Sequence, residues 1–424
     1  MTNQNQMVRD LLKWWQKSNP DFHETIIDSE NGQTLLHLAS EVGYFEIVEE
    51  LISMGADTNI QDFESYTPLH NCRDTDTMRI LLENGANVNA MDAYKATPLH
   101  EACLNGHLEG TKLLLEKGAN IEALNVHKES PLYFALKEEH DEVSKLLLDK
   151  APQIVNQIVS FDSGNYPIHL VSKQGNEEML ESLLKRGANC SVKNKDRVEP
   201  IHYATMEGHL NIVKLLIKRN RSLFKVKNAL QNTLLHLAVE SNRFEIAKML
   251  LTSGVPLDSQ NSFKETPISI ACASGHSKIT KLLIETNASL NIQDQKGLIP
   301  LHRAVMKNKA DIVQMLIESD RCHLNIKSRN GKTPLDLAFE NNLLEIAQMI
   351  SNKMSKLLEN KEPKPQGENS NECVICYEPK GGIFALLPCF HANSCEKCSE
   401  KLAKDSDKCP ICRTRVNQYQ KIFM

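Results

Sequence analysis

The sequence predicts an all-α solenoid of short helix-turn-helix units followed by a small domain folded around metal. Two observations predict it. A phrase of the type Thr-Pro-Leu-His returns about every 33 residues through most of the chain, and self-similarity at such a period marks stacked repeats, not a single globular core. Seven of the twelve cysteines fall between Cys373 and Cys412, a clustering that in an intracellular chain points to metal before disulfides. The composition of the 424 residues, 41% hydrophobic and 24% charged, excludes a disordered or collagen-like chain, and the 5% aromatic content excludes large aromatic-filled cores. The net charge of −5 gives no global ground for a nucleic-acid or anionic-membrane partner. No stretch approaches the ~18 apolar residues of a membrane span, and the polar start, Met1 to Met7, has no signal-peptide core. A soluble intracellular protein, cytoplasmic or nuclear, is expected.

Residues 1–29 carry one helical pattern, Val8, Leu11, Leu12 and Trp15, expected to cap the first open apolar face of a stack.

Residues 30–353 hold the array. Thr67-Pro68-Leu69-His70 recurs as Thr97-Pro98-Leu99-His100, and more loosely around His37, Tyr133, His169, His202, His236, Ser269, His302 and Asp336, which makes ten units. About 18 residues after the phrase most units place a Gly-Ala turn, as at Gly55-Ala56, Gly85-Ala86, Gly118-Ala119 and Gly187-Ala188. Thr-Pro suits a helix start, with Thr as an N-cap oxygen and Pro at the first helical position, where its missing N–H costs nothing. Glycine suits a left-handed helix end. On these residues the chain resembles the ankyrin-repeat family, which implies a β-turn and two antiparallel helices per unit and a protein-binding surface without a catalytic pocket.

The phrase histidines are expected to bond backbone groups of the adjacent loop, as are His107, His209 and His276. Cys103 and Cys272 read as small buried hydrophobes, not nucleophiles. The second unit is three residues short between Arg73 and Met78, and the fourth carries three extra around Pro152 to Ser163. Tyr94 and Phe263 share one turn-tip slot, with Phe63 beside it in the second unit, and are candidates for contact with a partner.

Residues 354–371, with Pro363, Pro365 and Gly367 among polar residues, read as a flexible linker.

Residues 372–424 hold the cysteine cluster: Cys373-x2-Cys376-x12-Cys389-x-His391-x3-Cys395-x2-Cys398-x10-Cys409-x2-Cys412. Eight soft ligands arrive in four close pairs, and two pairs complete a tetrahedral site, so the count predicts two structural zinc ions with no open position. A segment this short needs the metal for much of its folding free energy. The order of seven Cys and one His resembles the RING finger. That resemblance implies a cross-brace, with Cys373, Cys376, Cys395 and Cys398 on one zinc and Cys389, His391, Cys409 and Cys412 on the other. It also implies recruitment of a ubiquitin-conjugating enzyme charged with ubiquitin, with no covalent ubiquitin intermediate on the ligase.

By the same resemblance Ile375, Leu402, Pro410 and Ile411 match the apolar groove for the conjugating enzyme, and Arg413 matches the linchpin that hydrogen-bonds ubiquitin, a task for a fixed-charge fork. The alternative for Ile375 and Leu402 is filling of a small core, and for Arg413 a solvated surface charge. The tail after Cys412 resembles the C-terminal RINGs of inhibitor-of-apoptosis proteins, which implies a homodimer through a tail strand and a ubiquitin contact at Phe423. Phe390 departs from the glycine usual in Cys-Gly-His. The expectation is a ubiquitin ligase whose array binds a protein substrate. The alternative is a non-catalytic scaffold whose zinc module binds partners or dimerises.

Overall fold

The computed structural model describes Lys17, residues 25–160 and 162–359, and three strands of the C-terminal segment. The helix expected over Val8 to Trp15 lies outside the described residues. The chain divides into two compact units, Met1–Val255 and Pro256–Met424.

The first unit opens on an antiparallel pair, β1 (Ile26–Asp28) and β2 (Gln33–Thr34), which leads into the helices Leu35–Val42 and Phe45–Ser53. Six further helix pairs follow, from Pro68–Asn71 with Thr75–Glu83 to Leu234–Glu240 with Phe244–Thr252. First helices pack on first helices of the neighbouring repeat, and second helices on second helices. The core is shared accordingly. Leu69, Leu99, Leu132, Ile168 and Ile201 of the repeated phrase are fully buried, as are Leu81, Leu114, Leu147, Leu183 and Leu216 of the second helices. Each buried aliphatic contributes roughly 2 kcal/mol, but only because the next repeat covers it.

The local sequence explains the departures from regularity. The short second repeat loses most of its first helix, which shrinks to Pro68–Asn71, and Asp74 restarts the chain by accepting from the N–H groups of Asp76 and Thr77, both at 3.0 Å. The fourth repeat, with its extra residues, carries a 3-10 turn, Pro152–Asn156, whose Ile154 and Val155 are buried. The second helices on either side of it are tied by polar side chains. Lys145 Nζ reaches Glu178 at 2.6 Å, and Arg186 reaches Asp149 at 2.6 Å.

The threonine caps are shared with the histidine of the phrase. At Thr67 and Thr97 a capping box joins the threonine side chain to the backbone of His70 and of His100, and the hydroxyl lies 2.9 Å from Nδ1 of the same histidine, which accepts from the threonine N–H at 3.1 and 3.0 Å. Thr233 and Thr266 accept the N–H of His236 and of Ser269 at 3.4 Å.

The second unit contains three helix pairs, Pro267–Ser274 with Ser277–Glu285, Pro300–Met306 with Ala310–Glu318, and Pro334–Glu340 with Leu344–Glu359. The last helix corrects the linker boundary, since residues 354–359 are helical. The apolar spacing Ile346, Ile350, Met354 continues past the array, and the first prolines come only at Pro363 and Pro365. In the C-terminal segment β3 (Ile383–Leu387) lies between β4 (His391–Ser394) and β5 (Gln418–Ile422), antiparallel to both.

Candidate functional site

The repeated histidines come first, because seven of them in one chain invite a catalytic or metal reading. At His100, Thr97 donates to Nδ1, and Nε2 lies 3.2 Å from the carbonyl oxygen of Glu129. A carbonyl only accepts, so Nε2 carries the proton and Nδ1 is the acceptor. The same bond joins His37 to Tyr66, His70 to Ala96, His169 to Val198 and His302 to Lys332, at 2.9 to 3.2 Å. Burial pushes His70, His100, His169 and His202 down to about 4. The rings of His70, His100 and His169 are neutral bolts between repeats, as the sequence leads one to expect, whereas Nε2 of His202 has no hydrogen-bond partner among the described residues. His107 and His209 bond neighbouring repeats as well, to Thr75 Oγ1 at 3.2 Å and to the Lys173 carbonyl at 2.9 Å. Cys103 and Cys272 are fully buried, and burial raises both thiols well above the usual range. They are inert.

Sequence reasoning missed a second inter-repeat contact. The His140 ring covers Gly106 and donates from Nε2 to the Leu104 carbonyl at 3.0 Å. Arg243 covers Gly208 in the same manner, its Nε donating to the Met206 carbonyl at 2.7 Å.

Two surfaces of the first unit are available to a partner. The turn tips expose Phe63 (65%) and Tyr94 (54%). A polar groove of about 170 Å³ opens beside the shortened second repeat, lined by Gln33, Glu41, Tyr66, Arg73, Glu101 and Asn105 among others. In it Tyr66 donates to Glu101 Oε1 at 3.1 Å, and Arg73 lies 3.6 Å from Glu41. Burial raises the Glu101 carboxyl and the Tyr66 phenol, so Tyr66 stays an un-ionised donor. Such a groove offers donors and acceptors to a polypeptide. In the second unit the tip residue Phe263 is 49% exposed.

Among the described residues no group of three or more His, Cys, Asp or Glu side chains is arranged to hold a metal ion. The ligand set expected from the sequence belongs to the C-terminal segment, and there His391 is the first residue of β4. Cys373, Cys376, Cys389, Cys395, Cys398, Cys409 and Cys412 lie outside the described residues, as do Ile375, Leu402, Pro410, Ile411, Arg413 and Phe423. Seven thiols and an imidazole fit zinc in donor softness and in number. No described helix is long and apolar enough to cross a membrane.

Comparison with known proteins accounts for both parts. The family described as ankyrin repeats (3 copies) matches residues 1–92, 71–158, 168–261, 250–328 and 268–360. The family described as zinc finger, C3HC4 type (RING finger), matches residues 369–419. Among curated proteins, the chain is 32% identical over 72 residues to mouse E3 ubiquitin-protein ligase NEURL3, covering 16% of this chain and 28% of that protein. It is 46% identical over 52 residues to the probable E3 ubiquitin-protein ligase LUL3 of Arabidopsis thaliana, covering 12% and 13%. It is 40% identical over 62 residues to the apoptosis inhibitor IAP of Cydia pomonella granulosis virus, covering 15% and 21%. The chain thus spans about a quarter of the length of NEURL3 and less of the others.

Proposed function

The chain belongs to the ankyrin-repeat family and carries a C-terminal RING finger, and from that premise we propose that it is a ubiquitin-protein ligase. The array binds a protein substrate, and the RING recruits a ubiquitin-conjugating enzyme. The observation that carries the reading is the ligand set of residues 373–412 with its retained flanking residues, Ile375, Pro410 and Arg413. A zinc module kept only for docking has no need of that apolar pair and that arginine together. The names of NEURL3 and LUL3, both ubiquitin-protein ligases, support the same reading.

All seven local cysteines are taken as ligands in this reading, so ubiquitin is never carried on the ligase. Rate enhancement then comes from conformation. Ile375, Leu402, Pro410 and Ile411 hold the conjugating enzyme, and Arg413 hydrogen-bonds ubiquitin, which fixes the thioester in one geometry open to an incoming lysine. The two zinc ions are structural, in the cross-braced pairing.

A dimer through the tail is part of the proposal. Among the described residues β5 is an edge strand of its sheet, and an edge leaves backbone donors and acceptors for a second copy. The deciding experiment is self-ubiquitylation by the full chain with a panel of conjugating enzymes, comparing wild type with Ile375→Ala and Arg413→Ala. Activity in wild type and its loss in both variants is the expected result. A zinc-loaded wild type that is inactive across the panel leaves the non-catalytic scaffold.

A further inference from the structure

We propose that the array recruits its protein through an acidic, Asp/Glu-rich segment of that partner, docked on the second helix of the sixth repeat, Leu210–Arg219, and the 3-10 turn Arg221–Lys225 that follows it. This deepens the substrate-binding role proposed above and rests on it. The whole chain is net negative, yet from Gly208 to Val239 it holds six basic residues and no acidic one. Lys214, Lys218, Arg219, Arg221, Lys225 and Lys227 are all exposed. Among the described residues none of the six lies within ion-pair distance of a carboxylate.

Two other second helices of the unit hold a lysine in ion pairs: Lys112 pairs with Glu109 at 2.6 Å, and Lys145 with Glu142 at 2.8 Å and Glu178 at 2.6 Å. The sixth repeat keeps its field, and an uncompensated patch both repels itself and attracts an anion.

The spacing selects a peptide. Lys214 and Lys218 are four residues apart on one helix, about 6 Å along its axis, and alternate residues of an extended peptide are about 6.7 Å apart. On one side the helix Glu177–Lys185 presents exposed Glu177, Glu178, Glu181 and Lys185, with Glu178 paired to Lys145 and Glu181 to Lys185, and on the other side Phe244–Thr252 presents exposed Glu245 and Lys248. Carboxylates on both flanks interrupt the basic surface, which within the sixth repeat is about 10 Å wide. One extended segment fits that width. Phe224 is the one aromatic residue from Gly208 to Val239, and it is half-buried, so bases find no stacking platform.

The test measures binding of a fluorescein-labelled peptide of alternating Glu and Ser to the full chain by anisotropy. Wild type is expected to bind and to lose about tenfold in affinity between about 50 and about 300 mM salt, as screening demands. The charge-reversed variant Lys214→Glu, Lys218→Glu, Arg221→Glu, Lys225→Glu is expected to bind about tenfold more weakly at low salt. Lys278→Glu with Lys281→Glu, on the exposed face of another second helix, is expected to bind as wild type does. If the reversed variant melts below the assay temperature, the four Lys/Arg→Gln changes replace it. Absence of binding at low salt, equal binding by the patch variant, or tighter binding of a single-stranded oligonucleotide than of the peptide overturns the proposal. The readout involves no ubiquitin transfer. Its failure leaves the ligase reading standing, and a chain that binds the peptide without ubiquitylating anything refutes that reading instead.

Discussion

The Nε2 atom of His70 lies 3.2 Å from the carbonyl oxygen of Ala96, a residue 26 positions further on and in the next repeat. The same ring accepts the N–H of Thr67 at its other nitrogen, so one neutral imidazole joins the start of one helix to the backbone of the following repeat. Protonation at Nδ1 removes the acceptor and places a charge in the core.

A pH dependence follows. Burial lowers His70, His100, His169 and His202 from 6.5 to about 4 in the folded chain. A group whose folded pKa is lowered stabilises the fold above its unfolded pKa and loses that contribution as pH falls towards the folded value. The array is therefore expected to be most stable above pH 6.5 and to lose stability steadily down to about pH 4. Each of the four rings contributes about 1.4 kcal/mol per pH unit. Thermal melts between neutral pH and pH 4.5 measure it; a melting temperature that stays level across that window contradicts the neutral-bolt assignment.

The bolts are not equivalent. His100 donates to the Glu129 carbonyl at 3.2 Å, whereas Nε2 of His202 finds no hydrogen-bond partner among the described residues, although its Nδ1 accepts from Glu199 at 2.9 Å. His100→Ala is expected to destabilise the array by about 1 kcal/mol more than His202→Ala, the value of one net hydrogen bond. Denaturant titration of both variants decides, and equal losses refute the difference.

Gly175 and Gly118 test the second inter-repeat contact. Both have φ near +88°, but a Cβ at Gly175 meets the His209 ring at 2.5 Å, whereas at Gly118 it meets nothing within 4 Å. Gly118→Ala is expected to cost about 1 kcal/mol of backbone strain. Gly175→Ala adds an overpacking cost of about 1 to 3 kcal/mol, part of which His209→Ala in the same chain relieves. A double-mutant cycle showing no coupling between the two positions counts against the contact.

The fold was legible in the repeated phrase because each of its residues has one local task, and local tasks leave local signatures. Leu69 and Leu99 had to face the core, and Tyr94 and Phe263 had to share an exposed tip. The covered glycines were only partly legible. His209, over Gly175, is among the histidines the sequence singles out, but His140, Arg243 and Lys309 take the same place over Gly106, Gly208 and Gly275, and mixed residue types in one role blur the pattern. The basic surface was hidden for another reason. Lys214 and Lys218 read as ordinary helix lysines until the neighbouring repeats show which carboxylates are near them and which are not. The shortened second repeat announced itself in its spacing, but that Asp74 would restart the helix needed the geometry.

Zinc removal separates the two parts of the chain. The described repeats are held by shared apolar burial and by imidazole bonds, while the proposed ligand set of seven Cys and His391, in so short a segment, would leave folding to the ion. Chelation of the full chain at neutral pH is expected to release two zinc ions per chain, by native mass spectrometry, and to abolish ubiquitin transfer. The main melting transition of the array is expected to move by less than about 2 °C, since a repeat array depends on nearest-neighbour interfaces alone. Substituting Cys389 and His391 by serine and alanine is expected to leave one zinc bound, because the cross-brace gives both residues to the same ion. Loss of both ions from that variant, with Cys373, Cys376, Cys395 and Cys398 intact, contradicts independent sites, and retention of both contradicts the ligand assignment itself. A collapse of the array's melting transition on chelation means that its last repeats draw stability from the metal-bound domain, and the partition into a recognising part and a ubiquitin-presenting part then has to be redrawn.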